Sequence, residues 1–416
     1  MFLRNLSIKN FKCLENIELS FEKTETENRQ WTLVLGENGT GKSNLLKAIA
    51  LVTAGSNALG ELLGTTDNWI RSGEQSCSIN AVLETKEGKK REVSLHFDLG
   101  DNLSNIISKN HDSLSLIDNA IDNADRNYFV VAYGASRRLS KDVFSNFEQN
   151  KTPRSINVRN LFDSASNLNP LTAWIIELDY RTGIDGIDLI KDALNGFLPG
   201  ISFHSIDKEK KAVLFETVDG IISLDQLSDG YQNMAAWIGD LLFRITETFR
   251  EYNKPLEARG LLLIDEVDLH LHPRWQRKLV DFIGKKLPNF QVVATTHSPL
   301  TAQQADEGQL FALKRNNENI VELIPFVGSP KTLLINQLLM TPVFGLISDE
   351  SYEVQQAKQQ YDILNDKDEP LSATEQKTFT KAKKTLKVNL PKRKFPVSNE
   401  KELALLEKIE SQLNIK

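Results

Sequence analysis

Four short runs of the chain are apolar at almost every position: residues 31–35 (WTLVL), 128–133 (YFVVAY), 260–264 (GLLLI) and 291–294 (QVVA). Strands that are apolar on both faces belong inside a largely parallel sheet with helices packed on either side. Between these runs the period becomes that of a helix. Apolar residues recur three or four apart over 44–51 (NLLKAIAL), at Leu171, Trp174, Ile175 and Leu178, over 184–198, and through Met234, Ile238, Leu241, Leu242, Ile245 and Phe249. Such stripes predict amphipathic helices. A further helix is expected over 273–287, with Pro273 at a start position and Lys285 and Lys286 near its negative end. Strict alternation predicts half-buried strands at 2–8 and 17–21, joined around 10–14, and a hairpin of 77–85 with 91–99 across the polar turn 86–90. Residues 201–224 read as another hairpin, interrupted at Asp219 and Gly220, and 309–326 add two short strands at an edge of the sheet. Three stretches lack a strong period. Residues 55–73 look loose, and 139–160 look irregular. The polar, Asn/Asp-rich stretch 100–126 has a weak helical spacing at Leu114, Ile117 and Ile121 and reads as a mobile insertion. No a/d heptad is sustained, so a long coiled-coil arm is not expected. The pattern predicts an α/β fold.

The run 31–35 leads directly into Gly36-Glu37-Asn38-Gly39-Thr40-Gly41-Lys42-Ser43, which satisfies GxxxxGK[ST] between a strand and a helix. Glycines let successive backbone N–H groups turn toward phosphate oxygens at a helix N-terminus, where the dipole also favours negative charge. The expected ligand is a nucleoside triphosphate, with Lys42 on its β- and γ-phosphates and the Ser43 hydroxyl on magnesium. The run 260–264 ends in Asp265 and Glu266. Carboxylates at the carboxyl end of a central buried strand lie where ligands collect in open parallel sheets. Asp265 is therefore expected to hold magnesium through its water shell, and Glu266 to position or deprotonate the attacking water.

Two further strand ends carry polar residues. Thr295, Thr296, His297 and Ser298 follow 291–294, where His297 is placed to orient the γ-phosphate and the water, although a histidine after a strand also serves structure alone. Gly134, Ala135, Ser136, Arg137 and Arg138 follow 128–133, and the paired arginines fit contact with phosphate or a partner as well as plain solvation. Leu227-Ser228-Asp229-Gly230-Tyr231-Gln232 opens the helix through Met234. By itself, a Ser and a Gly in a first turn read as a helix cap.

Composition narrows the partners. A chain of 416 residues supports a large core, and a formal net charge of −6 excludes general attraction to phosphate backbones. Nucleic acid would have to be met through a local basic patch or a partner protein. Residues 378–394 hold Lys and Arg with no acid, and read either as a solvated face or as a docking surface for nucleic acid or an acidic partner. Cys13 and Cys77 are the only cysteines and lack metal-ligand spacing, so a reducing, cytoplasmic setting is expected. The N-terminus alternates like a strand, and no apolar run approaches the roughly 20 residues of a membrane span. Asp366-Lys367-Asp368 has DxD spacing but follows polar residues rather than an apolar strand, so nuclease chemistry of its own is not expected there.

In this order and on these elements, GENGTGKS, LSDGYQ, LLLIDEVDLHLHP and TTHS resemble the motifs of an ABC-type ATPase head. The opening SIKNFKCLENIELSF resembles the first strands of the SMC, RecF and OLD ATPases, and the likeness covers residues 1–55 and 128–326. The resemblance implies a P-loop NTPase fold of ABC-ATPase type: a mixed, mainly parallel sheet flanked by helices, with an N-terminal antiparallel β-layer and a helical lobe. It implies ATP and Mg2+ as cofactors. It places Lys12, Gly36, Asn38, Gly39, Thr40, Gly41, Lys42, Ser43 and Asn44 beside the nucleotide, with Ser43 and Asp265 at the metal. Lys42, Glu266 as general base and His297 as switch histidine form the implied catalytic set. Ser228 and Gly230 would be a signature motif contacting the γ-phosphate of ATP held by a second subunit, so that two ATPs join a homodimer or higher homo-oligomer.

The chain departs from the ABC pattern in two places. His272 stands where ABC proteins carry the D-loop aspartate, HLHP being the form of OLD-like ATPases, and no glutamine matches the Q-loop. A compact head with YGASR, HLHP and a short C-terminal extension resembles most the stand-alone ATPases of bacterial anti-phage defence, such as those of Septu and PARIS, which control a nuclease encoded beside them. The implied organisation is an ATPase head over 1–326, with an insertion and helical lobe at about 56–127 and 139–230, and a basic helical extension over 327–416 for partner docking. The implied function is an ATP-hydrolysing ATPase that dimerises around ATP and regulates or scaffolds an effector nuclease, without membrane contact. A RecF-like DNA-repair ATPase and a non-hydrolysing, ATP-locked scaffold are the alternatives.

Overall fold

The computed structural model describes residues 2–24, 27–85, 87–123, 128–137, 154–182, 184–198, 200–250, 252, 254–346, 348–367 and 371–389. It forms two compact units, Met1–Gly345 and Leu346–Lys416.

In the first unit the chain opens with β1 (Phe2–Phe11) and β2 (Leu14–Ser20), then β3 (Trp31–Gly36), α1 (Lys42–Ala54) and α2 (Ser56–Leu63). The hairpin of β4 (Ser76–Glu84) and β5 (Lys90–Asp98) follows, then α3 (Leu103–Lys109), α4 (His111–Asn123) and β6 (Val130–Tyr133). Three helices, α5 (Arg154–Phe162), α6 (Leu171–Thr182) and α7 (Ile184–Phe197), lead to the meander of β7 (Ser202–Asp207), β8 (Ala212–Thr217) and β9 (Gly220–Ser223). The long α8 (Asp229–Thr248) returns the chain to β10 (Gly260–Ile264), α9 (Pro273–Gln276), α10 (Leu279–Lys286) and β11 (Phe290–Thr295). The short α11 (Pro299–Ala302), β12 (Leu310–Arg315), β13 (Val321–Pro325) and α12 (Ile335–Leu339) complete the unit.

The central sheet has the order β13-β12-β3-β11-β10-β6, parallel throughout except for the antiparallel β12–β13 pair. Its strands alternate between two cores. Trp31, Leu33, Leu35, Leu262, Ile264, Val292 and Ala294 face the helices of the lobe, whereas Val34, Leu261, Leu263 and Val293 face α1 and the antiparallel layer. Burial on both faces explains why these runs show no alternation in the sequence, each such side chain contributing about 1.5–3 kcal/mol. The second sheet, β2-β1-β4-β5, is antiparallel and one-sided. Ile17, Ile8, Ile79 and Leu95 stand opposite one another across all four strands and are all buried. Gln291, the polar member of an otherwise apolar strand, joins the sheets: its amide accepts from Leu3 N and donates to Leu3 O, both at 2.8 Å.

The architecture is the expected α/β one, with the expected antiparallel layer and helical lobe. The structure differs where the sequence is polar. The loose stretch contains α2 and a turn of 3-10 helix at Thr66–Trp69. The supposed mobile insertion is α3 and α4, which bury Ile106, Leu114, Ile117 and Ala120; the Ile121 side chain lies outside the described residues. The polar residues of this stretch close the open edge of β5. Asn110 accepts from His96 N at 2.7 Å and donates to His96 O at 2.6 Å, and Ser113 Oγ accepts from Ser94 N at 3.0 Å. An uncovered edge would offer these groups to another chain. The stretch expected to be irregular ends in α5, while residues 138–153, Arg138 among them, lie outside the described residues. The helix expected over 273–287 is two helices. Gln276, at the break, donates to Leu271 O and accepts from Ser298 Oγ.

The second unit pairs α13 (Tyr352–Asn365) with α14 (Ala373–Asn389), with Tyr361 and Phe379 stacked at 5.0 Å. The basic run begins in α14, and its residues 390–394, like Asp368, lie outside the described residues. Among the described residues no helix is long and apolar enough to cross a membrane.

Candidate functional site

Four strand ends converge because the registers align them. Gly36 pairs with Leu313, Val34 with Thr295, and Ile264 with both Ala294 and Tyr133. The loops that follow β3, β10, β11 and β6 therefore lie side by side at one edge of the sheet, the position at which open α/β sheets bind ligands.

The loop after β3 is shaped by two glycines. A Cβ on Gly36 would lie 2.6 Å from Thr40 Oγ1 and 2.7 Å from Leu313 O, so no side chain fits there. Gly41 caps α1 with φ +94°, and a Cβ there would strike Cys13 Sγ and Leu14 Cδ2, each at 2.7 Å. Thr40 is buried and donates to Glu37 O at 2.9 Å, whereas Asn38 and Gly39 stand exposed at the crest. Lys42 folds over the loop and donates from Nζ to Gly36 O at 2.8 Å and Glu37 O at 3.0 Å. Burial lowers its pKa, and attraction from Asp265 and Glu266 opposes that shift.

One hydrogen-bonded path joins the loop to the carboxylates. Ser43 Oγ donates to Asp265 Oδ2 at 2.5 Å, Thr295 Oγ1 donates to Asp265 Oδ1 at 2.5 Å, and the same Thr295 oxygen accepts from Glu266 N at 2.7 Å. Asp265 is 7% exposed and Thr295 fully buried, while Glu266 is half-buried with φ +48°. On the far side, Arg137 Nη2 donates to Glu266 O at 2.5 Å. Burial brings the Arg137 guanidinium down to about 10 against the attraction of Asp265, Asp268 and Glu266. Asp268 accepts from Thr296 Oγ1 at 2.9 Å and Thr301 Oγ1 at 3.0 Å, which fixes the turn in which His297 stands exposed.

The structure thus brings Lys42, Ser43, Asp265 and Glu266 together and puts His297 on the adjoining loop. Lys12 occupies the β1–β2 turn with φ +55°, its N–H bonded to Trp69 O and its ammonium 4.8 Å from the centre of the Trp69 ring. The neighbouring Cys13 touches the loop, accepting from Asn44 Nδ2 at 3.5 Å. Ser228 is exposed at the start of α8 and makes no side-chain capping bond. Gly230 lies against the carbonyl of His270, 3.0 Å from where its Cβ would be. Arg315, which the sequence did not single out, donates to Gly39 O at 3.1 Å from the end of β12. Thr295 stood in the TTHS run without a role of its own, because a threonine ending a strand carries no separate signal.

Ser43 Oγ and Asp265 Oδ2 are oxygen donors suited to a hard divalent cation. Among the described residues no group of three or more His, Cys, Asp or Glu could hold a metal. A cation held by these two oxygens would complete its shell with water and phosphate oxygens, as Mg2+ in nucleotide sites does.

The chain is 27% identical over 349 residues to a Septu protein PtuA of Bacillus mycoides (strain KBAB4), a match covering 83% of this chain but 45% of that protein, so it spans about half of that relative. A Septu protein PtuA of Bacillus thuringiensis is 25% identical over 329 residues, covering 75% of this chain and 76% of its own. A Retron Vc95 probable ATPase of Vibrio cholerae is 23% identical over 379 residues, covering 74% and 72%. These matches agree with the expected kinship to ATPases of anti-phage defence. Residues 32–302 match the family described as AAA domain, putative AbiEii toxin, Type IV TA system, and with the phosphate loop, both carboxylates and the histidine loop inside that span, the chain belongs to this family.

Proposed function

We propose that the protein binds ATP with Mg2+ in the cytoplasm, hydrolyses it, pairs with a second copy around two ATPs, and so controls an associated effector, a nuclease, in bacterial anti-phage defence. The observation that carries this reading is the path Ser43–Asp265–Thr295–Glu266, which links the phosphate loop to the carboxylates within hydrogen-bonding distances. Lys42 would leave its two carbonyl partners for the β- and γ-phosphates, with the N-terminus of α1 adding its dipole. Ser43 and Asp265 would hold Mg2+, which supplies charge neutralisation on the phosphate oxygens. Glu266 would take the proton of the attacking water, and His297 would orient the transferred group.

The pairing is supported by the start of α8. Its Ser228 hydroxyl is exposed and forms no capping bond with its own helix, which leaves it available to an anion presented by another subunit. The effector and the defence role rest on the likeness to Septu and retron proteins. Light scattering of Glu266→Gln tests the reading. The variant is expected to bind Mg2+-ATP, to lose turnover by about 10²–10⁴-fold, and to double in mass when ATP is added. Undiminished turnover would remove Glu266 from the role of base, and a mass unaffected by ATP would refute the pairing.

A further inference from the structure

Glu266 has φ +48°. This is a conformation that residues other than Gly, Asn and Asp seldom adopt, and it persists only where the surroundings hold it. Both flanking peptide groups are held by side chains. The N–H donates to Thr295 Oγ1 at 2.7 Å, and the carbonyl accepts from Arg137 Nη2 at 2.5 Å. Thr295 ends β11 and Arg137 follows β6, the strands on either side of β10. The residue is clamped from both neighbours.

Arg137 is itself fixed in place. It is 5% exposed, and its guanidinium carbon sits 5.8 Å from the ring centre of Trp237 on α8. Asn160 on α5 holds the loop, accepting from Gly134 N at 2.9 Å and donating to Ser136 O at 3.0 Å. At Glu266 the atom that Arg137 grips is the backbone oxygen, so the guanidinium constrains the residue without sequestering its carboxylate.

We propose that Arg137 is a positioning residue that locks the left-handed backbone of Glu266 and, through Trp237, ties it to α8, the helix whose first turn carries Ser228 and Gly230. This rests on reading Glu266 as the base in ATP hydrolysis. The same two segments also meet directly, since Gly230 abuts the carbonyl of His270. A shift of α8 on pairing would therefore reach Glu266 by two short routes.

The test compares the wild-type chain with Arg137→Met, which fills the buried volume without donors, and Arg137→Lys, which keeps a charged donor. Misplacing a catalytic group by about 1 Å costs on the order of 100-fold, so Arg137→Met is expected to lower kcat for ATP about 30- to 100-fold with KM within about threefold. Arg137→Lys is expected to regain a tenth or more of the wild-type rate, and amide exchange over residues 264–272 to quicken in the Met variant. In a Glu266→Gln background, Arg137→Met is expected to cost nothing further. A wild-type kcat in Arg137→Met, or an equal loss in the Glu266→Gln background, would overturn the proposal. Should Arg137→Met fail to fold, Asn160→Ala loosens the same loop and is expected to lower kcat and quicken exchange over 264–272; no change in either overturns the proposal. Absence of ATP turnover in the wild type would instead refute the hydrolysis reading. The exchange measurement then decides the positioning by itself, with unchanged exchange counting against it.

Discussion

Replacing Thr295 with valine removes one oxygen and keeps the shape of a fully buried, β-branched residue. That oxygen donates to Asp265 Oδ1 at 2.5 Å and accepts from Glu266 N at 2.7 Å. A hydrogen bond to a charged group contributes about 1.5–3 kcal/mol, and the buried N–H left without its acceptor adds about 1 kcal/mol. The expected loss of stability is therefore about 2.5–4 kcal/mol. With unfolding entropy near 2.1 cal/mol/K per residue over the unit Met1–Gly345, each kcal/mol corresponds to about 1.4 °C, so Tm should fall by about 3–6 °C. Turnover should fall further than stability implies, by about 10- to 100-fold at 25 °C where the variant remains folded, because Asp265 and Glu266 lose a shared anchor. Thermal melting with a steady-state phosphate-release assay reads both quantities. A Tm within 1 °C of wild type together with turnover within about twofold would refute the claim that this hydroxyl organises the two carboxylates.

Lys42→Ala should abolish ATP binding in calorimetry, and full affinity would remove the phosphate-loop assignment. Asn110→Ala uncovers the edge of β5 at His96 and should lower stability by about 1–3 kcal/mol while promoting association detectable by light scattering; an unchanged melt and a monodisperse sample would contradict it. Burial pushes the Cys77 thiol up to about 12. Above its ordinary value near 9 the unfolded chain loses a proton that the folded chain keeps, so this residue makes stability fall with rising pH by up to about 1.4 kcal/mol per unit. Cys77→Ala should flatten the alkaline limb of the stability profile, whereas an identical slope in the variant would show that the thiol is not so buried.

Local chemistry made much of this protein legible from its amino-acid order. The GxxxxGK[ST] loop is contiguous, its glycines, lysine and serine falling within a span of eight residues between a strand and a helix. The central strands declared themselves by being apolar on both faces, and Asp265 and Glu266 by ending one of them. The antiparallel layer followed from simple alternation, because one of its faces is buried. These features depend on neighbours in the chain, where period and spacing carry the information.

Tertiary structure decided the rest. The order β12-β3-β11-β10-β6 sets Thr295 and Arg137 on opposite sides of Glu266, although Arg137 lies more than a hundred residues away in the chain. No local period records such a register. The stretch 100–126 looked mobile because its residues are polar, yet Asn110 and Ser113 spend that polarity on the backbone of β5. Its helices are held by a strand edge that exists only once the sheet has formed. Ser228 shows the same limit: its sequence reads as a cap, and only the folded helix shows the hydroxyl uncommitted. Hydrophobic pattern is written along the chain, whereas the pairing of polar groups depends on which strands become neighbours, and that is settled only when the cores on both faces of the sheet close.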